Sequence, residues 1–223
     1  MNATTSDQAY ENIRQMLTRG EMLPGQRVSQ SKLARQIGCS TVPVVEAMRR
    51  LESEGLLDKQ PRKMATVREL SLSDLEGLYL LREGLEVGTV RLCIERMTEE
   101  QAQKLSDLEQ AFEKVWDSFD IAAQQDVKIH QYIAECACCP LLVEELDRLR
   151  VLESTAGRKL PEEAKRLDHP RTHRALIQAI LDRDIDAAEY LMKKHIRNGF
   201  QEVMQFFKEN KRVDRRKTNS SGD

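Results

Sequence analysis

Between Ser29 and Gly55 two short runs of helical periodicity follow each other with almost no chain between them, and few folds accommodate that. Leu33, Ala34 and Ile37 form the first apolar stripe, stopped at Gly38; Val44, Ala47, Met48 and Leu51 form the second, stopped at Gly55. Ser29 or Ser31 can cap the first helix and Ser40 or Thr41 the second, because their side-chain oxygens accept from first-turn N–H groups that have no helical partner. A linker of three or four residues containing glycine makes the helices cross steeply, which is the helix-turn-helix arrangement. An earlier helix is predicted over Asp7–Arg19, capped by Ser6 and turning Tyr10, Ile13, Met16 and Leu17 inward, with Pro24 and Gly25 reversing the chain after it. Past Gly55, Leu56–Gln60 and Ala65–Arg68 read as two brief strands around the basic tip Pro61-Arg62-Lys63. Residues 1–70 are thus expected to form a winged helix-turn-helix.

The remaining chain predicts a different architecture. Hydrophobic residues make up 40% of the sequence and charged residues 32%, but aromatics only 4%, a balance that favours amphipathic helices over sheets. Six helices are predicted: Asp74–Met97, Glu99–Ser118, Ile121–Cys136, Leu141–Leu160, Pro170–Arg183 and Ile185–Lys208. Thr98 with Gln101 makes a capping box, Asp184 caps the last helix, and Pro140 and Pro170 suit first-turn positions. The fold class is mainly α, with an antiparallel helical bundle over residues 71–210 and a polar tail at 211–223 expected to lack structure. No run of about 18 apolar residues occurs. The opening "MNATTSDQAY" lacks the layout of a secretory leader, so a cytoplasmic protein without a membrane partner is expected. Five cysteines, an odd number with no second pair at zinc-ribbon spacing, argue against a disulfide framework or a zinc ribbon. The cluster Cys136, Cys138 and Cys139 reads either as small buried residues at a helix end or as a metal or redox site.

Polar residues that interrupt apolar stripes carry the chemistry. On one body helix Asp126 and His130, four apart, share a face with Ala123, Val127, Ile133, Ala134 and Ala137. His173 aligns with Leu176, Ile177 and Ile180, and His195 with Ala188, Leu191, Met192 and Gly199. A buried carboxylate is costly unless paired. Three imidazoles and a carboxylate together satisfy Zn, Ni or Mn, and the cation offsets the cost of burying the charge. His169, beside Pro170, falls outside these stripes and is expected to be exposed. Gly77, Gly84 and Gly88 share one face of the first body helix, where each costs about 1 kcal/mol relative to Ala; a close helix approach, within the chain or from a second copy, would explain them.

Charge divides as the architecture does. Residues 1–70 hold 11 Lys+Arg and 8 Asp+Glu, or +3; the remainder holds 24 and 29, or −5. A basic front suits a head that places its second motif helix, Val42 to Glu54, in the major groove of double-stranded DNA. The run "LPGQRVSQSKLARQIGCSTVPVVEAMRRLESEGLL" closely resembles the DNA-binding domain of the GntR family, at Leu23, Pro24, Gly25, Leu33, Ala34, Gly38, Ser40, Pro43, Val44, Glu46, Ala47, Leu51, Glu54, Gly55 and Leu56. Where that family has Arg, Arg and a wing Gly, this chain has Thr41, Val45 and Met64. Ser40, Thr41, Val45, Arg49 and Arg50 are the candidate groove residues, and Arg35, Arg62 and Lys63 candidate phosphate contacts.

The segments "DVKIH", "THRALIQAI" and "AAEYLMKKHIRN" resemble the FCD domain of the FadR-like branch, and six body helices resemble its shorter VanR-like version. The resemblance implies a metal held by Asp126, His130, His173 and His195, a carboxylate effector on open coordination positions, and a homodimer on a pseudo-palindromic operator. Arg82, in "LREGLE", admits two readings: a clamp on the effector's carboxylate, or a salt bridge to Glu86 one turn on. The implied function is transcription regulation by a non-enzyme. The competing readings are a metal-dependent hydrolase and a regulator whose metal is structural or is itself the signal.

Overall fold

A computed structural model describes residues 5–59, 64–157 and 170–219. The helices are α1 (Thr5–Arg19), α2 (Gln30–Ile37), α3 (Thr41–Ser53), α4 (Leu72–Arg96), α5 (Glu99–Glu113), α6 (Phe119–Cys136), α7 (Pro140–Gly157), α8 (Pro170–Leu181) and α9 (Ile185–Asn219). Two strands, β1 (Leu57–Asp58) and β2 (Thr66–Val67), pair antiparallel with Leu57 opposite Val67. The chain divides into two compact units, Met1–Ser71 with Arg150–Lys159, and Leu72–Leu149 with Leu160–Asp223.

In the first unit α3 packs on both α1 and α2. Ile13 and Leu17 from α1, Leu33 and Ala34 from α2, and Val44, Ala47, Met48 and Leu51 from α3 make its core. Gly38 ends α2 at φ 78°, a left-handed conformation in which a β-carbon would be strained, and its N–H closes on Ala34 O. Ser29 caps α2 by accepting from Lys32 N, whereas Ser40 occupies the cap position of α3 without bonding to its backbone. Ser6 lies inside α1 rather than before it, since the helix begins at Thr5. The strands are shorter than predicted; β2 is also supported from the other side, where Val28 N donates to Ala65 O and Gly25 N to Val67 O. Arg62 and Lys63 lie outside the described residues, as does His169. The end of α7 belongs to this unit, and there Ser154 Oγ donates to Thr18 O at 3.1 Å.

The second unit is a bundle in which α9 lies along α4 and α8, while α6 packs on α4 and α5. Its core runs through Val90, Cys93, Leu105, Phe112, Ile129, Ile133, Leu176, Ile180, Ala188 and Met192. The capping box forms as predicted, Gln101 N to Thr98 Oγ1 at 3.2 Å and Thr98 N to Gln101 Oε1 at 2.9 Å, and Asp184 accepts from Ala187 N. Helix α5 stops at Glu113 instead of Ser118. Helix α8 stops at Leu181, because Arg183 takes a positive φ of 57° and sends its guanidinium to the carbonyls of Ile94 and Met97. Helix α9 runs to Asn219, beyond the expected Lys208 and through most of the segment expected to be a loose tail, since no proline or glycine falls between Lys208 and Asn219.

Candidate metal centre and nucleic-acid interface

The buried face of α6 is broader than the predicted one: Ile133, Ala134 and Ala137 are enclosed as expected, Ala122, Ile129 and Cys136 join them, and Val127 is exposed. The helix is covered by two neighbours rather than one, so its apolar face is broader than a single stripe. Within it His130 is 2% exposed and Asp126, at the edge, 20%. His173 enters from α8 at 0% and His195 from α9 at 11%. The four converge. Asp126 Oδ1 lies 2.8 Å from His173 Nε2, 3.7 Å from His130 Nε2 and 3.9 Å from His195 Nε2, and the last two nitrogens are 3.0 Å apart.

One donor atom from each of the four lies within 4.8 Å of the others. Ligands each about 2.1 Å from one cation sit roughly 3–4 Å apart, so this spacing suits a shared ion better than a set of hydrogen bonds. His173 is compatible with that fit. Its ring is fully buried, and among the described residues neither nitrogen has an aligned hydrogen-bond partner, although Nε2 is in contact with Asp126. A buried polar atom without such a partner is costly, and a cation would supply what the protein withholds.

The electrostatics point the same way. Burial raises the Asp126 carboxyl, but the charge of His130, the contact with His173 and the charge of His195 outweigh it and hold the group well below the usual carboxylate range. Burial of His173 wins over its attraction to Asp126 and lowers its pKa, favouring the neutral imidazole that ligates metals.

Behind the cluster stands a pair from α4 that stripe reading did not connect with it. Glu86 Oε2 accepts from His130 Nδ1 in a short hydrogen bond, while Glu86 Oε1 is held by Arg82 Nε at 2.9 Å and Arg82 Nη2 at 2.8 Å. With its proton engaged at Nδ1, His130 turns the lone pair of Nε2 toward Asp126 and His195. Of the two readings of Arg82, the structure makes the salt bridge; the guanidinium is buried against Glu86. The signal was available, because Leu75, Tyr79, Arg82, Glu86, Val90 and Cys93 form one inward stripe broken by two charges.

In the head, Ser40, Thr41, Arg35 and Arg49 are exposed and Val45 is half-buried, so all five border the outer side of the two motif helices. Arg50 is exposed as well, but its guanidinium is engaged. Its Nη1 bonds Asp7 Oδ1 at 2.8 Å and its guanidinium sits 3.9 Å from the Tyr10 ring centroid, tying α3 to α1. Tyr10 in turn donates to Glu54 at 2.7 Å; burial first, and then that bond, raise the phenol's pKa to about 12. Val42, not singled out from the sequence, is 65% exposed at the start of α3.

The sequence matches the FCD domain over residues 77–198 and the gntR family of bacterial regulatory proteins over residues 5–67. The chain belongs to the GntR family. Among its relatives, the Nta operon transcriptional regulator of Aminobacter aminovorans is 29% identical over 192 residues, 83% of this chain and 88% of that protein. The HTH-type transcriptional repressor RspR of Escherichia coli is 25% identical over 213 residues, 92% and 91% of the two chains. The solved structure of E. coli McbR/YncC shares the fold, with a TM-score of 0.78, 22% identity and coverage of 93% of this chain and 99% of that one. These relatives are regulators and not enzymes, which removes the hydrolase reading. As a GntR regulator with an FCD domain, the protein has a DNA-binding head, and among its described residues no helix is long and apolar enough to cross a membrane.

Proposed function

We propose that the protein is a cytoplasmic, homodimeric transcription repressor whose affinity for a pseudo-palindromic operator is set by a small organic acid bound at a metal in the FCD domain. The observation that carries this reading is the convergence of Asp126, His130, His173 and His195 on one point, with the buried His173 ring lacking an aligned hydrogen-bond partner. Zn, Ni or Mn suits the three imidazoles and one carboxylate. A divalent cation held by four protein ligands in an octahedral shell keeps two positions to offer a carboxylate effector. In this reading Asp126 and His195, the more exposed of the four, line the side from which the acid enters, while His130 and His173 seal the rear. Arg82 acts through Glu86, orienting His130, rather than by clamping the acid.

Repression is supported by relatives that carry that description, RspR among them. Two-fold symmetry of a dimer would match paired half-sites. Dimerisation is consistent with α4, where a β-carbon added at Gly77, Gly84 or Gly88 would meet nothing within 4 Å among the described residues, so that face leaves room for a second chain. The acid can change operator affinity only by binding two arrangements of the dimer unequally, with a coupling of typically 1–3 kcal/mol.

The test is fluorescence anisotropy of an operator duplex obtained by selection from genomic DNA, titrated with short-chain mono-, di- and hydroxycarboxylic acids. A shift in affinity of about 5–150-fold by one class of acid is expected. No shift at saturating acid, with metal bound in stoichiometric amount by elemental analysis, would leave the metal a structural role or make it the signal itself.

A further inference from the structure

The outer face of α3 is chemically unusual for a helix that reads DNA, and its orientation is fixed. Val44, Ala47, Met48 and Leu51 are all sunk in the core, and Arg50 fastens the same helix to α1, so the opposite face cannot rotate inward. That opposite face begins with Val42, Val45, Glu46 and Arg49 at spacings of three and four, with Thr41 exposed beside Val42. None of the side chains in its first two turns carries an N–H donor. Guanine presents only acceptors, N7 and O6, to the major groove and is read by paired donors from Arg or Lys. The leading turns of α3 therefore lack the paired N–H donors that read guanine, and the Thr41 hydroxyl is their one donor. What they offer instead is two branched apolar side chains and the methyl of Thr41, with the Glu46 carboxylate and the Thr41 hydroxyl as their polar groups. The major groove contains one apolar group, the C5-methyl of thymine.

We propose that Val42 and Val45, with the methyl of Thr41, read thymine C5-methyl groups, so that each operator half-site carries thymines beneath the start of α3. This rests on the reading that α3 is the helix the head inserts into DNA. A lone exposed valine is ordinary on a protein surface. Here it stands at the start of the recognition helix, with a second valine one turn on and no competing donor between them. Arg49, a turn further along, remains for a phosphate or a base at the edge of the half-site.

The experiment uses the full chain as purified, without added acids. A pool of duplexes with a randomised centre is passed through rounds of capture, and the enriched half-site is resynthesised with each thymine replaced in turn by deoxyuridine, which lacks only the methyl. One or two replacements are expected to weaken binding by about fourfold each, the share of one buried methyl group. Val42→Ala, at an exposed position that leaves the fold intact by circular dichroism, should bind the thymine and deoxyuridine duplexes equally at one of those positions. Placing 5-methylcytosine there should restore part of the wild-type affinity that cytosine lacks. Half-sites that enrich but respond to no deoxyuridine, or that carry guanine beneath α3, would overturn this inference alone. A pool in which nothing enriches would overturn the DNA-reading assignment of α3 and this inference with it.

Discussion

In the head, α3 hides Val44, Ala47, Met48 and Leu51 and leaves Val42 in solvent; in the body, α6 hides His130 between Ile129 and Ile133 and holds Asp126 at its edge. Each helix is amphipathic, and each departs from the pattern in the opposite sense, an apolar side chain outside in one and polar side chains inside in the other. The hydrophobic effect disfavours the first mildly, and burial of polar groups disfavours the second strongly. The body therefore has to compensate within itself, through Glu86 and Arg82 and, in the proposed function, a cation. The head can leave its valine exposed, and in the inference above a groove covers it.

Substitutions can separate these two kinds of exception from ordinary core. Leu51→Ala, in the enclosed stripe of α3, is expected to cost about 2–5 kcal/mol in urea unfolding, whereas Val42→Ala nine residues earlier should stay within about 0.5 kcal/mol of the wild type. If both fell equally, the distinction between inner and outer faces of α3 would be wrong. His173→Ala should lower metal affinity, measured by competition with a chromophoric chelator, by more than the roughly 100-fold that loss of an outer partner costs.

Smaller effects sharpen the body's side of the contrast. Glu86→Gln should weaken metal binding by about 10–100-fold and shift the visible absorption of the Co-substituted protein, since the ring orientation of His130 changes while its ligand atom remains. An unchanged spectrum with lowered stability would make Glu86 structural only. Metal removal should lower the stability of the folded chain by about 2.7 kcal/mol when the metal had been present at 100 times its dissociation constant, read as a fall in Tm. Gly84→Ala should gain up to about 1 kcal/mol of helix propensity in a monomer. The expected result is instead a loss of dimer at low concentration in sedimentation, because the added methyl meets a second chain.

Much of this arrangement was legible in the sequence. Gly38, the capping box at Thr98 and Asp184, and the prolines at 140 and 170 mark helix ends through local backbone chemistry, and local chemistry survives tertiary packing. The four cluster residues were legible because each breaks an apolar stripe. Glu86 was read only as a partner for Arg82, although its own stripe carries the same kind of break. Its bond to His130 joins residues 44 apart, and no local spacing announces a partner so distant. The sequence places Arg50 beside Arg49 on the second motif helix as a candidate groove contact, and the structure leaves it exposed. Only the packing of α1 across α3 shows that Asp7 and Tyr10 hold it. The face of α6 was misjudged for a related reason, since a stripe drawn for one neighbour is too narrow for a helix with two.

The clasp on Arg50 bears on how the protein should respond to ionic strength. Each phosphate neutralised by a protein cation releases counterions and steepens the fall of log affinity with log salt by about 0.9. A guanidinium engaged by Asp7 and Tyr10, although half exposed, has to leave those partners to join that exchange, so each head should gain less than one full increment from it. Operator occupancy would then vary less with cellular potassium, and a larger share of the binding free energy would come from contacts that salt does not screen.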